Sequence, residues 1–476
     1  MQSCCPGRTG VARLLLLSAL LIAQNLTGVA QQPARPMKLN EAVDLALANY
    51  PSIRVSLAQA AAAREGIGLA RTAYLPRTDL LWQENRATRN NFFGLVLPQS
   101  VIPAVSGPVL PDQSYQSTFG SAGGFLFSWE PFDFGLRGAQ VQSARAQTEQ
   151  GNARVEVTRL DVATNASDAF LTLLAIEQAV RAARANVDRL GTFAKSVHVL
   201  VDNQLRPGAD ASRADAELAA ASIQLIQAQQ ASETSRVALG EALGLPDVAV
   251  AVDAGPLLDM PPDTSLSVAR LESHPLAVEQ SAAVEVVRAR EHVLDRTYFP
   301  RFYFQTSVYG RGTGAMTDGT FQGGLNGLFP NVGNWATGIS VSFPLLDIFS
   351  IRSRRRIEAN NEAAEKARYD QTILALKAGD ARARVLVENA LRIAQNTPIE
   401  VKAAQEAELR ARARYDAQLA TVTEVAEAQR LLAQAEIDDS VARLSVWRAL
   451  LAAGRARGDI KLFLQKVLST PVHRSK

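Results

Sequence analysis

Few side chains in this sequence have the type and spacing that enzymatic or metal-binding chemistry requires. The four histidines occur singly, and none has a partner at metal-ligand spacing: His198, His274, His292 and His473. Neither the Gly-x-Ser-x-Gly pattern of hydrolases nor the His-Glu-x-x-His pattern of metalloproteases occurs. The glycine-rich run 310–314 resembles a phosphate-binding loop, but no helix is predicted to open directly after it. We therefore predict that the protein is not an enzyme and holds no cofactor or metal.

The sequence instead contains one long pattern twice. A shift of 224 residues superimposes the first copy on the second at Pro51 and Pro275, Tyr74 and Tyr298, and Arg77 and Arg301. Further along, a shift of 214 residues superimposes Ser128 and Ser342, Gln204 and Gln418, and Gly244 and Gly458. A duplication of this length predicts two structural repeats. Because the register changes between Pro76 and Ser128, we predict an exposed loop in that segment.

Residues 1–30 have the layout of a secretory signal peptide. Two arginines precede an apolar run, 14–23, and the segment ends on small residues at 28–30. Both cysteines, Cys4 and Cys5, precede the apolar run, so the mature chain is predicted to lack disulfides. Removing the segment lowers the formal net charge from +3 to +1, and we expect no nucleic-acid partner.

Most of the remaining chain has the periodicity of long helices. Apolar residues recur at alternating steps of four and three from Val162 to Val201, which predicts a coiled-coil seam. A helix from about Gly135 to Gln204 would be about 100 Å long. The turn at 205–208 contains Pro and Gly, so the next arm is predicted to run back antiparallel to the first.

The second copy repeats this hairpin at about 350–415 and 422–453, with Pro398 expected to kink its first arm. Each copy also opens with a shorter amphipathic helix, at 39–73 and 268–297, which a proline interrupts.

Between these helices the periodicity of the sequence changes to that of strands. Residues at alternate positions, all but one of them apolar, face one way in the last of these runs: Trp335, Thr337, Ile339, Val341 and Phe343. Two runs of about ten residues in each copy have the length that a tilted strand needs to cross a bilayer. A soluble hairpin would show the same alternation, but the long loops 89–114 and 311–333, rich in Gly, Pro and Asn, favour the membrane.

Four strands cannot close a membrane barrel, because the smallest such barrels have about eight. Open strand edges are not tolerated in lipid. If these strands cross the membrane, several chains must therefore share one barrel.

The predicted organisation is as follows: a signal peptide at 1–30; a first repeat at 31–245, with strands at about 77–130 and long helices at about 135–243; a linker at 246–265; a second repeat at 266–458, with strands at about 300–346 and long helices at about 350–456; and a tail at 459–476. The linker could contain one short strand, and the last residues of the tail are expected to be disordered.

An ordered set of segments resembles the TolC-type outer-membrane efflux factors over about 37–458. These segments are LNEAVDLALANYP, TAYLPR, SWEPFDFGLR, SFPLLDIFSIR and RYDAQLATVTEVAEAQ. The resemblance implies a mainly α fold with a β-barrel contribution: a tandem repeat of long antiparallel coiled-coil hairpins plus four transmembrane strands per subunit, assembled as a trimeric α/β-barrel duct. It also implies an outer-membrane location in a Gram-negative bacterium, with a large periplasmic portion.

The same resemblance implies an exit duct of a tripartite efflux or type I secretion system. The expected partners are two further copies of the chain, a periplasmic adaptor protein, an inner-membrane transporter and outer-membrane lipid. A periplasmic coiled-coil scaffold without a channel is the alternative, although a scaffold has no need for the aromatic alternating strands. The cargo, the pump and the resting state of the tip stay open.

By resemblance the gate lies at the turn of the second hairpin, at Tyr415, Glu424 and Glu427. Three copies of each glutamate would form rings that favour cations, and mutual repulsion would raise the carboxylate pKa values. A solvated helix face is the alternative for these two glutamates. Ala420 stands where the family's gate has a basic residue, which makes a salt-bridge lock by such a residue doubtful. The adaptor is expected to dock on the turns, at Gln204, Leu205, Gly208, Gln418, Leu419 and Thr421.

Overall fold

The computed structural model describes residues 36–88, 115–245, 250–266, 270–316, 320 and 322–470 of the 476-residue chain. Its helices are α1 Leu39–Asn49, α2 Pro51–Thr72, α3 Leu136–Asp202, α4 Gly208–Ala242, α5 Pro275–Arg296, α6 Ile348–Asp416, α7 Val422–Ala456 and α8 Lys461–Ser469. Its strands are β1 Arg77–Thr88, β2 Ser117–Phe132, β3 Arg301–Thr313 and β4 Val332–Ser342. The mainly helical repeat with four strands is therefore confirmed, while the predicted signal peptide and loop 89–114 lie outside the described residues.

The four strands form one antiparallel sheet in the order β1-β2-β3-β4. One row across this sheet contains Leu80, Phe125, Val308 and Trp335, which are 58–75% exposed. The neighbouring row, which points to the opposite face, contains Asp79, Leu126, Ser307 and Ala336. One face thus carries a row of exposed apolar side chains, while the adjacent row on the opposite face combines polar and small residues with Leu126.

The long helices form two antiparallel hairpins, α3/α4 and α6/α7, and α3 also packs against α7. The turns that separate the arms of each hairpin lie at the end far from the sheet, because α3 and α6 both begin just after a strand. The α3 helix has 67 residues and is therefore about 100 Å long, as predicted. The α6 helix continues through Pro398 as a single helix from Ile348 to Asp416.

The main hydrophobic core lies between the sheet and the hairpin turns, where α1, α3 and α7 meet. Phe170, Leu174 and Trp447 are almost completely buried there. Small residues on α7 allow the close approach of the helices, including Ala442 and Ala453. Within the described ranges, none of the helices combines the length and apolar character that crossing a membrane requires.

The linker predicted at 246–265 is packed against this core wherever the structure describes it. Val250 and Leu257 are buried, and the Trp447 indole donates a hydrogen bond of 3.0 Å to the Asp259 carbonyl. In place of a short strand, the structure has a single parallel bridge between Met37 and Val252. The linker has too few apolar residues to show a clear periodicity. The sequence therefore did not distinguish a segment packed on the core from an exposed connection.

The structure adds detail to the tail and differs from the prediction at the start of the second repeat. The tail predicted at 459–476 contains α8, whose Phe463 and Val467 are buried, and residues 471–476 lie outside the described part. In the second repeat the helix begins at Pro275, and one 3-10 turn, Leu271–Ser273, stands where the first repeat has α1. His274 caps α5, because its Nδ1 accepts a hydrogen bond of 3.1 Å from the Leu276 amide.

Candidate functional site at the hairpin tips

The turns of the two hairpins have the same backbone conformation. Gln204 has φ of 62° and Gln418 has φ of 65°, so both lie in the left-handed region that favours glycine. The Leu205 amide donates to the Leu200 carbonyl at 2.8 Å, and the equivalent bond from the Leu419 amide has the same length. Both tips are therefore Schellman turns, which satisfy the last carbonyl groups of α3 and α6.

Tyr415 lies between the two hairpins and is only 1% exposed. It belongs to a small core, here called the tip cluster, in which its ring contacts Phe193 edge-on at 5.1 Å between centroids and Val422 and Val425 are fully buried. Burial raises the pKa of Tyr415, and the nearby Arg206 opposes that rise. The Tyr415 hydroxyl is buried with no hydrogen-bond partner among the described residues. Within one chain, Tyr415 is therefore a packing residue that joins the hairpins.

Arg206, in the turn of the first hairpin, covers the tip cluster. Its guanidinium carbon lies 4.5 Å from the centroid of the Tyr415 ring, and Nη2 donates a hydrogen bond of 2.9 Å to the Tyr415 carbonyl. A cation over an aromatic face is attracted by the ring quadrupole. The sequence patterns did not predict this contact. A signal was present, because Arg206 is equivalent under the repeat to Ala420 and a basic residue therefore occurs in one turn only.

Glu424 lies in the first turn of α7 and has partners within its own chain. Its carboxylate accepts a hydrogen bond of 3.3 Å from the Thr421 amide, and Thr421 Oγ1 accepts one of 3.3 Å from the Glu424 amide. This reciprocal arrangement is a capping box. Glu424 also lies 3.5 Å from Arg414 Nη1. Glu424 thus stabilises the start of α7. Its side chain is nevertheless partly exposed at the tip.

Glu427, one turn further along α7, is exposed and paired with Arg430 at 2.5 Å. The hydrogen bond from Arg430 lowers the pKa of the Glu427 carboxyl. The mutual repulsion expected of a carboxylate ring would raise that pKa, so the contact within the chain acts in the opposite direction. Glu424 and Glu427 are therefore together at the tip, and Arg430 partly compensates one of them.

The residues predicted to dock an adaptor form the exposed surface of the two turns. Leu205 is 57% exposed and Leu419 is 69% exposed, although both are large apolar residues. Gln204, Gly208, Gln418 and Thr421 are also exposed. Among the described residues there is no group of three or more His, Cys, Asp or Glu side chains that could hold a metal ion.

The model of one protein family, described as outer membrane efflux protein, matches residues 42–245 and 266–457 of this chain. The chain belongs to this family. Its relatives include Protein CyaE of Bordetella pertussis, 24% identical over 357 residues, which are 73% of this chain and 68% of that protein.

Solved structures of outer-membrane channels have the same fold. The CmeC channel of Campylobacter jejuni superimposes with a TM-score of 0.70 at 15% identity, over 91% of this chain and 89% of that chain. The MtrE channel of Neisseria gonorrhoeae, in its open state, gives 0.67 at 19% identity, over 88% and 89%. CusC gives 0.73 at 13% identity, over 91% and 96%.

The efflux family and the fold together establish what the chain does. It is an outer-membrane channel, the exit duct of a tripartite efflux system, and its long helical hairpins form the periplasmic part. The apolar face of the sheet, which contains Leu80, Phe125, Val308 and Trp335, has the character that contact with lipid requires.

Proposed function

We propose that three copies of this chain share one twelve-stranded barrel and one periplasmic helical barrel. The observation that carries the proposal is the four-stranded sheet, in which β1 and β4 are edge strands that pair with no further strand among the described residues. Edges of this kind must be paired in a lipid environment. Pairing of β4 with β1 of the next chain satisfies both edges and closes the barrel after three chains.

The exposed apolar residues of the hairpins support the same assembly. Ile223 and Ile226 on α4 are 57% and 62% exposed, and Ile393 and Ile399 on α6 are 58% and 68% exposed. Within the chain α3 packs on α7, and the repeat makes α6 equivalent to α3 and α4 equivalent to α7. The matching contact for α6 is therefore α4 of the neighbouring chain.

The duct transports passively and works with two partners. A periplasmic adaptor docks on the exposed turns, including Leu205 and Leu419, and connects the duct to an inner-membrane transporter that supplies the energy. Membership of the family supports both partners, and exposed apolar residues at a turn suit a protein contact. No catalytic step takes place in the chain itself.

The tip is the gate of the duct, and Glu424 and Glu427 give it a cation preference. Three copies place six carboxylates around the closed end. Arg430 compensates Glu427, so the preference depends mainly on Glu424, which Arg414 approaches less closely. Tyr415 contributes by packing, because its ring is buried between the hairpins.

The reversal potential of the purified protein in planar bilayers, under a salt gradient, tests this proposal. Wild type is expected to be cation-selective, and Glu424→Gln/Glu427→Gln is expected to shift the reversal potential toward zero. Glu388→Gln is the matched control, because Glu388 is an exposed carboxylate of α6 paired with an arginine far from the tip. Equal shifts for both variants would show that overall charge, not the tip, sets selectivity.

The oligomer mass separates the duct from the scaffold. Native mass spectrometry of the detergent-solubilised protein is expected to give three chains. A folded monomer or dimer without conductance would favour the scaffold and end the proposal of a shared barrel.

A further inference from the structure

The segment that joins β4 to α6 presents an exposed apolar surface at the end of the sheet. Phe343, Leu345, Leu346 and Phe349 are 62–82% exposed. Phe343 is eight positions after Trp335, an even number, so it continues the side of β4 that belongs to the apolar face of the sheet. The surface that contacts lipid is therefore continued by these residues toward the start of α6.

The first turns of α6 are rich in arginine, and most of these charges have no counter-charge. The side chains of three arginines make no ion pair or hydrogen bond among the described residues, and all three are exposed: Arg352, Arg354 and Arg356. Arg355, in contrast, pairs with Glu291 at 3.3 Å and with Asp295 at 3.0 Å. Contacts within the chain thus compensate one of four neighbouring positive charges.

Two of the uncompensated arginines share a face of α6 with Phe349. Residues three, four and seven apart are neighbours on a helix, so Phe349, Arg352 and Arg356 form one row, which we call the collar stripe. The two arginines are four residues apart and repel each other unless an anion lies between them. Arg354 is two residues from each of them, which is about 200° around the helix, and so lies on the opposite face.

The first repeat shows which side of α6 stays exposed in an assembly, a step that rests on the proposed trimer. Within one chain α3 packs between α2 and α5, whereas α6 packs on α5 and has its other flank available for α2 of the next chain. The α3 equivalents of the collar stripe are Gly135, Gly138 and Gln142, of which the first and last are exposed and Gly138 is half-buried. Leu136 and Ala139, on the adjacent side, are buried. The next chain is therefore expected to cover the flank of α6 and leave the collar stripe open.

The collar stripe faces the outside of the duct. Positions seven apart recur on one face of a coiled-coil helix, and Gly135 and Gln142 precede Phe170 by 35 and 28 residues. Phe170 is completely buried in the main core, so that face of α3 is the one on which the core is built. The segments that cover this core, α1, the linker and α8, would block the lumen and fit only outside the helical barrel.

From this position we propose that the collar stripe binds the phosphate of an anionic phospholipid in the periplasmic leaflet of the outer membrane. Arg352 is about 6 Å along α6 from its first residue, and the headgroup layer is about 5–8 Å thick. A guanidinium pairs with phosphate through two parallel hydrogen bonds, and Phe349 lies beside the acyl chains. The last six residues of α2, which the next chain brings alongside, contain Arg71 and no acidic residue, so assembly does not neutralise the stripe.

Native mass spectrometry of the detergent-solubilised protein, titrated with phosphatidylglycerol or with phosphatidylcholine of the same acyl chains, tests the proposal. Wild-type trimers are expected to bind phosphatidylglycerol in preference, one molecule per chain. Arg352→Gln/Arg356→Gln is expected to weaken that binding about 25-fold, because each arginine near an anionic headgroup contributes about fivefold. Equal affinity of wild type for the two lipids would overturn the proposal.

Arg354→Gln is the matched control, because it removes an equally uncompensated charge from the opposite face of the same turn. Its affinity for phosphatidylglycerol should equal that of wild type, and Arg352→Lys/Arg356→Lys, which keeps both charges, should retain the preference for the anionic lipid. A loss in Arg354→Gln as large as in the double glutamine variant would mean that overall charge selects the lipid, which contradicts a site at the stripe. Inorganic phosphate should not displace the lipid, and displacement at equal concentration would rule out the lipid as the occupant.

The same spectra separate failure of this proposal from failure of the trimer. Trimers without a lipid preference keep the shared barrel and overturn the lipid site. Dissociation of Arg352→Gln/Arg356→Gln but not of Arg354→Gln would make the collar stripe a contact between chains, which also overturns it. A wild-type protein that is monomeric throughout contradicts the trimer itself, and with it the comparison of α6 with α3.

Discussion

The tips of the two hairpins have one backbone and two environments. Gln204 and Gln418 adopt φ of 62° and 65°, and the hydrogen bonds that close the turns have equal length. Yet Tyr415 is buried in the tip cluster, whereas its equivalent Val201 is half-buried at the edge of it. The hydrogen bonds that close each turn are local to its own helix end, so the same turn is compatible with different packed neighbours.

Replacement of Tyr415 should have the largest effect on this comparison. Tyr415→Ala empties a buried site and is expected to destabilise the tip by about 3–5 kcal/mol. Val201→Ala, its equivalent, should cost far less. Hydrogen exchange of the two turns, measured by mass spectrometry, checks the cost of each replacement. Similar exchange rates in Tyr415→Ala and Val201→Ala would contradict the difference in packing between the two tips.

Tyr415→Phe separates the ring from the hydroxyl. Because the hydroxyl is buried without a partner among the described residues, its removal should be neutral or stabilise the tip by about 1 kcal/mol. A loss of protection in this variant would show that the hydroxyl has a partner when the chain is assembled.

Thr421→Ala should affect the second tip alone. The capping box of Thr421 and Glu424 starts α7, while α4 begins at Gly208 after Pro207, without a side-chain cap. Loss of the cap costs about 1 kcal/mol, which is about fivefold in exchange rate. The amides of the first turn of α4 serve as the internal control and should exchange as in wild type.

Glycine at the two left-handed positions should stabilise both tips equally. Gln204→Gly and Gln418→Gly relieve a conformation that costs a side-chain-bearing residue about 1 kcal/mol. Thermal stability and exchange of each turn measure the gain. Unequal gains would show that one glutamine makes a compensating contact in the assembly.

The smallest expected effect is a dependence on pH confined to the first hairpin. His198 Nε2 lies 2.9 Å from Asp215, and this hydrogen bond raises the pKa of His198. The stabilisation is therefore fully present below about pH 6.5 and is lost as pH rises through the folded pKa. The hydrogen-exchange rates of the first hairpin tip should differ between wild type and His198→Gln at pH 6 and become equal at high pH. A difference that grows as the pH rises would contradict this assignment.

The sequence predicted the parts of this molecule that have a long period. The hairpins, the strands and both turns follow from the heptads, the alternation and the duplication, and the tip glutamates were located through the family resemblance. The packing of 250–266 and of α8 was not predictable, since short segments with two or three buried residues have no distinct period.

Side-chain partners that are distant in the sequence were also not predictable at the tip. Arg206 contacts Tyr415 from 209 positions away, and no local pattern predicts such a contact. Glu427 and Arg430 are three residues apart on α7, a spacing from which the partial compensation of the charge could have been predicted.

Single-channel recording of the purified wild-type protein in planar bilayers tests the central claim most directly. A duct shared by three chains predicts discrete current steps of uniform size, from oligomers whose mass equals three mature chains. Folded trimers that never conduct would contradict it.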